Sequence, residues 1–335
     1  MSFVTFGEIM LRLTPEKHRT KINSCKSFNV NYAGSESNVA SSLGVLGNKV
    51  AFVTKLPENQ LGDAAISSLR SYGINTNAII RGGHRIGTYF IEQGTSIRPS
   101  KVIYDRKNSS LSEIKDNEFN WEEILKNRTW IFLSGITPVL SSQCAKETIK
   151  VAEIARQMGV KVAFDMNYRR SLWKQPSDAR IIFDKILNNT NLLFGNANVL
   201  KDVYDISPKG DNKYDQTLNA METASQKFGV DKIAFTIRDH VSASQNKLSG
   251  VFLSESKYYT SDTIKVSIAD RFGTGDAFAA GLLHGVNKGW NDQKVVDYAT
   301  AAFALKHTVL GDQHTSSEEE IFSIMEGNIS GHVLR

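Results

Sequence analysis

Two cysteines in 335 residues, Cys25 and Cys144, far apart and without zinc-type spacing, exclude a disulfide framework and fit a reducing compartment. With six prolines there is no Pro-rich linker, and neither a low-complexity tract nor an internal repeat interrupts the chain. No run approaches the roughly 18 consecutive apolar residues of a membrane span. The segment Met1 to Leu13 carries Glu8 and Arg12 inside its apolar stretch and lacks a basic leader with a small-residue cleavage site. The expectation is therefore a soluble, cytoplasmic protein without a membrane partner. Charge of one sign is scarce too: 40 Lys and Arg against 35 Asp and Glu leave a net charge of +5, enough to attract anionic small molecules and too little to argue for nucleic acid.

What remains is ordinary globular composition, 41% apolar and 22% charged, on a chain long enough for two domains or for one large α/β domain with an insertion. Short apolar runs rich in β-branched or aromatic residues predict strands at Phe3 to Phe6, Trp130 to Leu133, Lys161 to Phe164 and Lys232 to Thr236. Helical patterns alternate with them at Ser37 to Leu46, Ala64 to Tyr72, Ser142 to Met158, Tyr214 to Phe228 and Gly275 to Lys288. That alternation predicts βαβ units around a mainly parallel sheet. Two stretches break it, from about residue 11 to 32 and from about 79 to 106. Both read as short β-rich segments with glycine-containing turns, which predicts a small sheet over the C-terminal edge of the main one, where α/β proteins bind ligands. The expectation is a single domain over residues 1–325 with this split lid inserted into it.

The most informative segment is Asp270-Arg271-Phe272-Gly273-Thr274-Gly275-Asp276-Ala277-Phe278. Its glycines permit a tight turn, and the small residues that follow start a helix whose free N–H groups favour an anion such as phosphate. An aspartate at 276 is then either a helix cap or a base beside a phosphate site.

Gly273-x-Gly275-Asp276 with Ala277-Phe278, together with Gly34-Ser35-Glu36-Ser37-Asn38-Val39-Ala40, resembles the paired signatures of the ribokinase-like, PfkB-type carbohydrate kinases, over nearly the whole chain. Ser100 to Arg106, Asp165-Met166-Asn167-Tyr168-Arg169, Asp270-Arg271 and Ala304-Leu305-Lys306-His307-Thr308 with Gly311-Asp312 are similar to the 2-keto-3-deoxygluconate kinase branch. The resemblance implies a three-layer fold and ATP-dependent phosphorylation of 2-keto-3-deoxygluconate to its 6-phosphate, with Mg²⁺. It implies Asp276 as the base and the amides of Gly273, Thr274 and Gly275 as an anion hole. Gly34, Asn38, Tyr89, Tyr104, Arg106 and Arg169 would meet the sugar acid; Asn167, Asn196, Thr236, Arg238, Gly273 and Gly275 would meet the nucleotide.

Physical chemistry supports one part of this independently, because an aldonic carboxylate is best held by a guanidinium fork, and Arg106 and Arg169 are the candidates. Both also fit solvated surface arginines, and both tyrosines fit strand packing. Asp270 matches a position that binds a monovalent cation such as K⁺ in some relatives, or it pairs with Arg271 or caps the turn. Two departures from the resembled pattern stand out. Residues 236–250 hold no glycine until Gly250, where a Gly-rich loop beside ATP is common, and Val199 replaces the glutamate of an Asn-x-x-Glu stretch near magnesium. His284 and His307 read as packing or surface residues.

The alternatives are a neutral-sugar kinase of the fructokinase or ribokinase type and a non-catalytic sugar-binding homologue. A dinucleotide-binding dehydrogenase lacks its Gly-x-Gly-x-x-Gly after the first strand. The edges of a lid sheet, and relatives that dimerise through it, imply a homo-oligomer, a dimer through the lid.

Overall fold

Alternate residues of β1 (Ser2–Phe6) enter two different cores: Val4 and Phe6 lie in one and Phe3 in the other, all fully buried. A strand with no solvent face must sit inside a sheet covered on both sides. In the computed structural model, which describes residues 2–329 and 331, β1 pairs in parallel with β4 (Lys49–Leu56) and β8 (Trp130–Ser134). Beyond β8 the parallel order continues through β9 (Lys161–Asp165), β10 (Leu192–Gly195) and β11 (Ile233–His240). Beyond β11 lies an antiparallel edge of β12 (Gln245–Ser254) with β13 (Lys257–Thr260) and β14 (Ile264–Ser267).

Helices Ser35–Val45, Gln60–Ser71, Thr274–Lys288 and Asp292–Lys306 pack Leu43, Leu69, Leu282 and Val295 on the face that carries Phe3. Helices Ser142–Gln157, Pro176–Leu187, Ala197–Tyr204 and Lys213–Phe228 cover the other face with Val151, Phe183, Leu200 and Met221. This is the three-layer α/β architecture expected. Each fully buried phenylalanine of the sheet contributes about 1.5–3 kcal/mol of transfer free energy. The second helix starts four residues before the apolar pattern does, because the Asn59 side chain caps it, accepting from the amides of Leu61 and Gly62 at 3.1 Å each.

A separate four-stranded sheet runs in the order β3 (Phe28–Ala33), β2 (Met10–Pro15), β6 (Thr88–Glu92), β7 (Lys101–Asp105). Met10, Ala33, Tyr89 and Ile91 form its own small core, against which Phe272 of the glycine-rich turn packs. Two expectations need correction. Ile79–Arg81, read as the start of the lid's second piece, is β5 and pairs with the Thr54–Leu56 end of β4, so it belongs to the main sheet. The segment after Thr236, read as a loop, continues β11 to His240 in a hairpin with β12, from Thr236 opposite Gly250 to His240 opposite Asn246. Without glycine to break it, the strand runs on and turns only at residues 241–244. Cys25 and Cys144 are free thiols, and among the described residues no helix is long and apolar enough to cross a membrane.

Candidate active site

Helix Thr274–Lys288 begins at Gly273, whose φ of +71° an L side chain rarely adopts. A Cβ there would also lie 1.8 Å from the carbonyl oxygen of Asp312, so both the conformation and the close approach demand glycine. Among the described residues the amides of Gly273, Thr274 and Gly275 have no partner in the protein, and they stand at the positive end of the helix. Thr274 is buried; its hydroxyl donates to the Arg271 carbonyl and accepts from Arg238 Nη2, each at 3.0 Å.

Asp276 follows in the first helical turn. Its Oδ2 accepts from Asn38 Nδ2 at 2.8 Å and its Oδ1 from Ser35 Oγ at 3.0 Å, while Asn167 Nδ2 donates to the same serine oxygen at 2.8 Å. Burial disfavours the carboxylate and, with the nearby Asp165, outweighs these hydrogen bonds, so the Asp276 pKa is pushed up to about 7. Asn38 is placed by Gly34, where the helix Ser35–Val45 starts. A Cβ on Gly34 would lie 1.9 Å from the Glu8 carbonyl oxygen, and the Gly34 amide donates to Asn38 Oδ1 at 3.3 Å.

Asp276 lines a cavity of about 500 Å³ together with Asn167, Arg169, Asn196, Thr236 and Arg238. Asn196 uses its side chain to cap the helix Ala197–Tyr204, and Val199 stays inside that helix, buried. Three guanidinium groups, those of Arg169, Arg238 and Arg271, line this cavity, and among the described residues none has a carboxylate partner. Arg238 lies over the Phe303 ring at 5.1 Å; burial, then the charges of Arg271 and Arg169, pull its pKa down to about 10. Uncompensated cations crowded into one cavity call for a polyanion.

Gly34, Asn38, Tyr89, Tyr104 and Arg106 lie outside this cavity, and Asp276 joins the two regions through Asn38. Tyr104 is half exposed on the lid and stacks on Tyr89, with ring centroids 6.1 Å apart. Tyr89 itself is buried and its hydroxyl donates to Asp312 Oδ2 at 2.8 Å. That hydroxyl is a bracing group of the lid, not the free donor expected for a sugar.

Arg106 does not present a free fork either. Its Nε donates to Glu8 Oε2 at 2.9 Å, its Nη2 to the same oxygen, and both side chains are buried. Asp270 also departs from expectation. Its Oδ2 receives Arg12 Nη2 at 2.5 Å, the Gly311 amide at 3.2 Å and Gln93 Nε2 at 3.3 Å, and its Oδ1 receives the Phe272 amide at 3.1 Å. A carboxylate so fully engaged, with a guanidinium already on it, does not fit a monovalent cation.

The residues that sequence reasoning passed over are Ser35, Glu8, Arg12, Asp165, Arg271 and Asp312. Glu8 and Arg12 had a signal, as charges inside the apolar N-terminal stretch from Met1 to Leu13. His284 and His307 are fully buried, and burial pulls the His307 pKa down to about 3, which keeps the ring neutral.

The chain is similar over nearly its full length to known proteins. A 2-dehydro-3-deoxygalactonokinase of Haloferax volcanii is 31% identical over 98% of this chain and 98% of its own. The crystal structure of 2-dehydro-3-deoxygluconokinase from Thermotoga maritima superposes with a TM-score of 0.94 at 40% identity, covering 98% of each chain. A PfkB family carbohydrate kinase from Listeria grayi gives a TM-score of 0.91 at 29% identity, covering 97% of this chain and all of that one. The profile described as pfkB family carbohydrate kinase matches residues 2–319, so the chain that carries this turn, cavity and lid belongs to the PfkB family of carbohydrate kinases.

Proposed function

We propose that this carbohydrate kinase transfers the γ-phosphoryl group of ATP to the primary hydroxyl of 2-keto-3-deoxygluconate, yielding the 6-phosphate and ADP. The observation that carries the reading is the position of Asp276. A carboxylate poised near neutral pH stands at the junction of the lid region and a cavity lined by three unpaired guanidinium groups. Asp276 takes the hydroxyl proton as that oxygen attacks phosphorus and the bond to the β-phosphate oxygen breaks. Ser35 and Asn38 hold the carboxylate in place. The amides of Gly273, Thr274 and Gly275 face charge on the phosphoryl oxygens, with Arg238 and Arg271 as counter-charges for the rest of the triphosphate.

Arg169, exposed and bonded only to the Tyr168 carbonyl at 3.4 Å, is the free fork for the substrate carboxylate. Mg²⁺, when bound with the nucleotide, would supply neutralising charge for the transfer. Asp165, whose Oδ1 alone is engaged, by the Asn167 amide at 2.9 Å, is the residue placed to meet that ion's water shell. The relatives named for deoxy-keto sugar acids favour this substrate class, while the pairing of Arg106 with Glu8 favours a neutral sugar as the second reading. The lid's outer apolar residues Val30 and Ile103, 54% and 53% exposed, suit contact with a second copy of the chain.

Turnover across a panel of gluconate- and galactonate-derived deoxy-keto acids, fructose and ribose tests the assignment. Arg169→Ala is expected to cut kcat/KM for the acids at least about tenfold more than for the neutral sugars. Equal losses would remove the carboxylate clamp.

A further inference from the structure

Behind the glycine-rich turn lies a closed cluster of charge. Arg12, from the lid strand β2, forms ion pairs with both Asp270 and Asp312, and all three are buried. Lys306, at the end of the helix Asp292–Lys306, is fully buried and donates from Nζ to the Val309 carbonyl at 3.0 Å. Burial pulls its pKa down while the charges of Asp270 and Asp312 pull it up.

The segment that follows Lys306 is laid directly against the turn. The His307 carbonyl accepts from the amides of Ala269 and Asp270 at 2.8 and 3.2 Å, the Gly311 amide reaches Asp270, and the Asp312 carbonyl occupies the space where residue 273 would carry a Cβ. Two carboxylates are thus matched by two basic side chains, with no ion from solvent required to balance them. A potassium ion entering here would find the oxygens of Asp270 taken and the Val309 carbonyl already facing an ammonium group. Two resident cations would repel it in a region closed off from solvent by the protein.

We propose that Lys306 and Arg12 serve as built-in cations that position the anion-hole turn, so that this kinase transfers phosphoryl groups without a monovalent cation. Both are positioning residues, acting on the substrate through the turn. The inference rests on the kinase reading for its activity readout but not for its stability readout.

The test uses the full-length protein at constant ionic strength in choline, lithium, sodium or potassium chloride, with turnover and thermal unfolding measured in each. Wild-type turnover is expected to stay within about twofold across the salts, with no unfolding shift specific to potassium. Lys306→Ser, which removes the ammonium and opens space, is expected to lose at least about tenfold in kcat in choline. Potassium should restore it better than lithium, and its unfolding temperature should rise in the same order. Lys306→Met fills the space with a neutral chain and should lose turnover without rescue.

A wild-type activation by potassium of about fivefold or more overturns the inference, as does a Lys306→Ser protein with full turnover in choline. A folded Lys306→Ser protein whose loss no cation restores also overturns it. If Lys306→Ser does not fold, the wild-type salt series decides alone. If no sugar or sugar acid is phosphorylated, the kinase assignment fails, and the potassium dependence of the unfolding curves still tests the cation inference.

Discussion

Replacing Asp276 by Asn should make the protein more stable at alkaline pH while removing its activity. The carboxyl rises from 3.8 to about 7 on folding, because burial and Asp165 outweigh the hydrogen bonds from Asn38 and Ser35. The folded chain therefore binds this proton more tightly than the unfolded chain, and the stability linked to it is complete below 3.8 and lost as pH rises through about 7. At roughly 1.4 kcal/mol per unit the full shift is worth roughly 4 kcal/mol, which water in the open cavity reduces to about 2–3 kcal/mol. Asn carries no charge at any pH and avoids this cost. The difference in unfolding temperature, variant minus wild type, should grow by about 2 °C between pH 5 and pH 8, since part of the change already falls between pH 3.8 and pH 5, taking a chain of this length to unfold with roughly 0.7 kcal/mol/K of entropy. Over the same range kcat should fall by about 10²–10⁴ in the variant, the usual worth of a general base. Wild-type kcat/KM should drop about tenfold per unit below pH 7. Unfolding curves that move in parallel with pH, or a variant within about tenfold of wild-type turnover, would refute the assignment of a raised pKa and a catalytic proton to this residue.

Gly273→Ala places a methyl group against the Asp312 carbonyl at a positive φ; it should cost more than about 2 kcal/mol by denaturant unfolding and abolish turnover. Normal activity would show that the turn relaxes freely. Glu8→Ala leaves the Arg106 guanidinium buried without its partner and should destabilise the fold by about 3–5 kcal/mol, whereas a loss below about 1 kcal/mol would mean that water reaches the pair. Val30→Asp with Ile103→Asp should convert an oligomer to a monomer in sedimentation experiments; a wild-type protein that sediments as a monomer removes the lid interface.

Strands such as β8 were legible because a segment buried on both faces is a short unbroken apolar run, and the helix Thr274–Lys288 was legible because two glycines precede a run of small residues. The antiparallel edge was not. The run around Thr236 looks like any strand end, and only its partner, with Gly250 opposite Thr236, shows that it continues. The four-residue β10 is too short to carry a period of its own. At the site, residue types within one motif could be placed, as with Asp276 and Gly273. Charges whose role depends on a distant partner could not. Arg106 looks free until Glu8 is seen beside it, and Asp270 resembles a cation ligand until Arg12 arrives from the lid. Lys306 closes the apolar stretch Ala301 to Leu305, which marks it as a buried charge, but nothing local names the carboxylates it faces.

The ion pairs of Arg12 span 258 residues to Asp270 and 300 to Asp312. A chain emerging from the ribosome therefore exposes this arginine long before either acidic partner, the first of which lies 258 residues further on. Forming the lid earlier would bury an unmatched charge, so the segment with Asp270 and Asp312 acts as a latch, and the candidate site closes only after the scaffold has formed. A truncated product ending before Asp312 would carry the base, the glycines and most of the cavity, yet lack the piece that sets them in register. Completeness of the chain becomes a condition for catalysis, and a stalled or clipped product is kept from acting as a half-formed kinase.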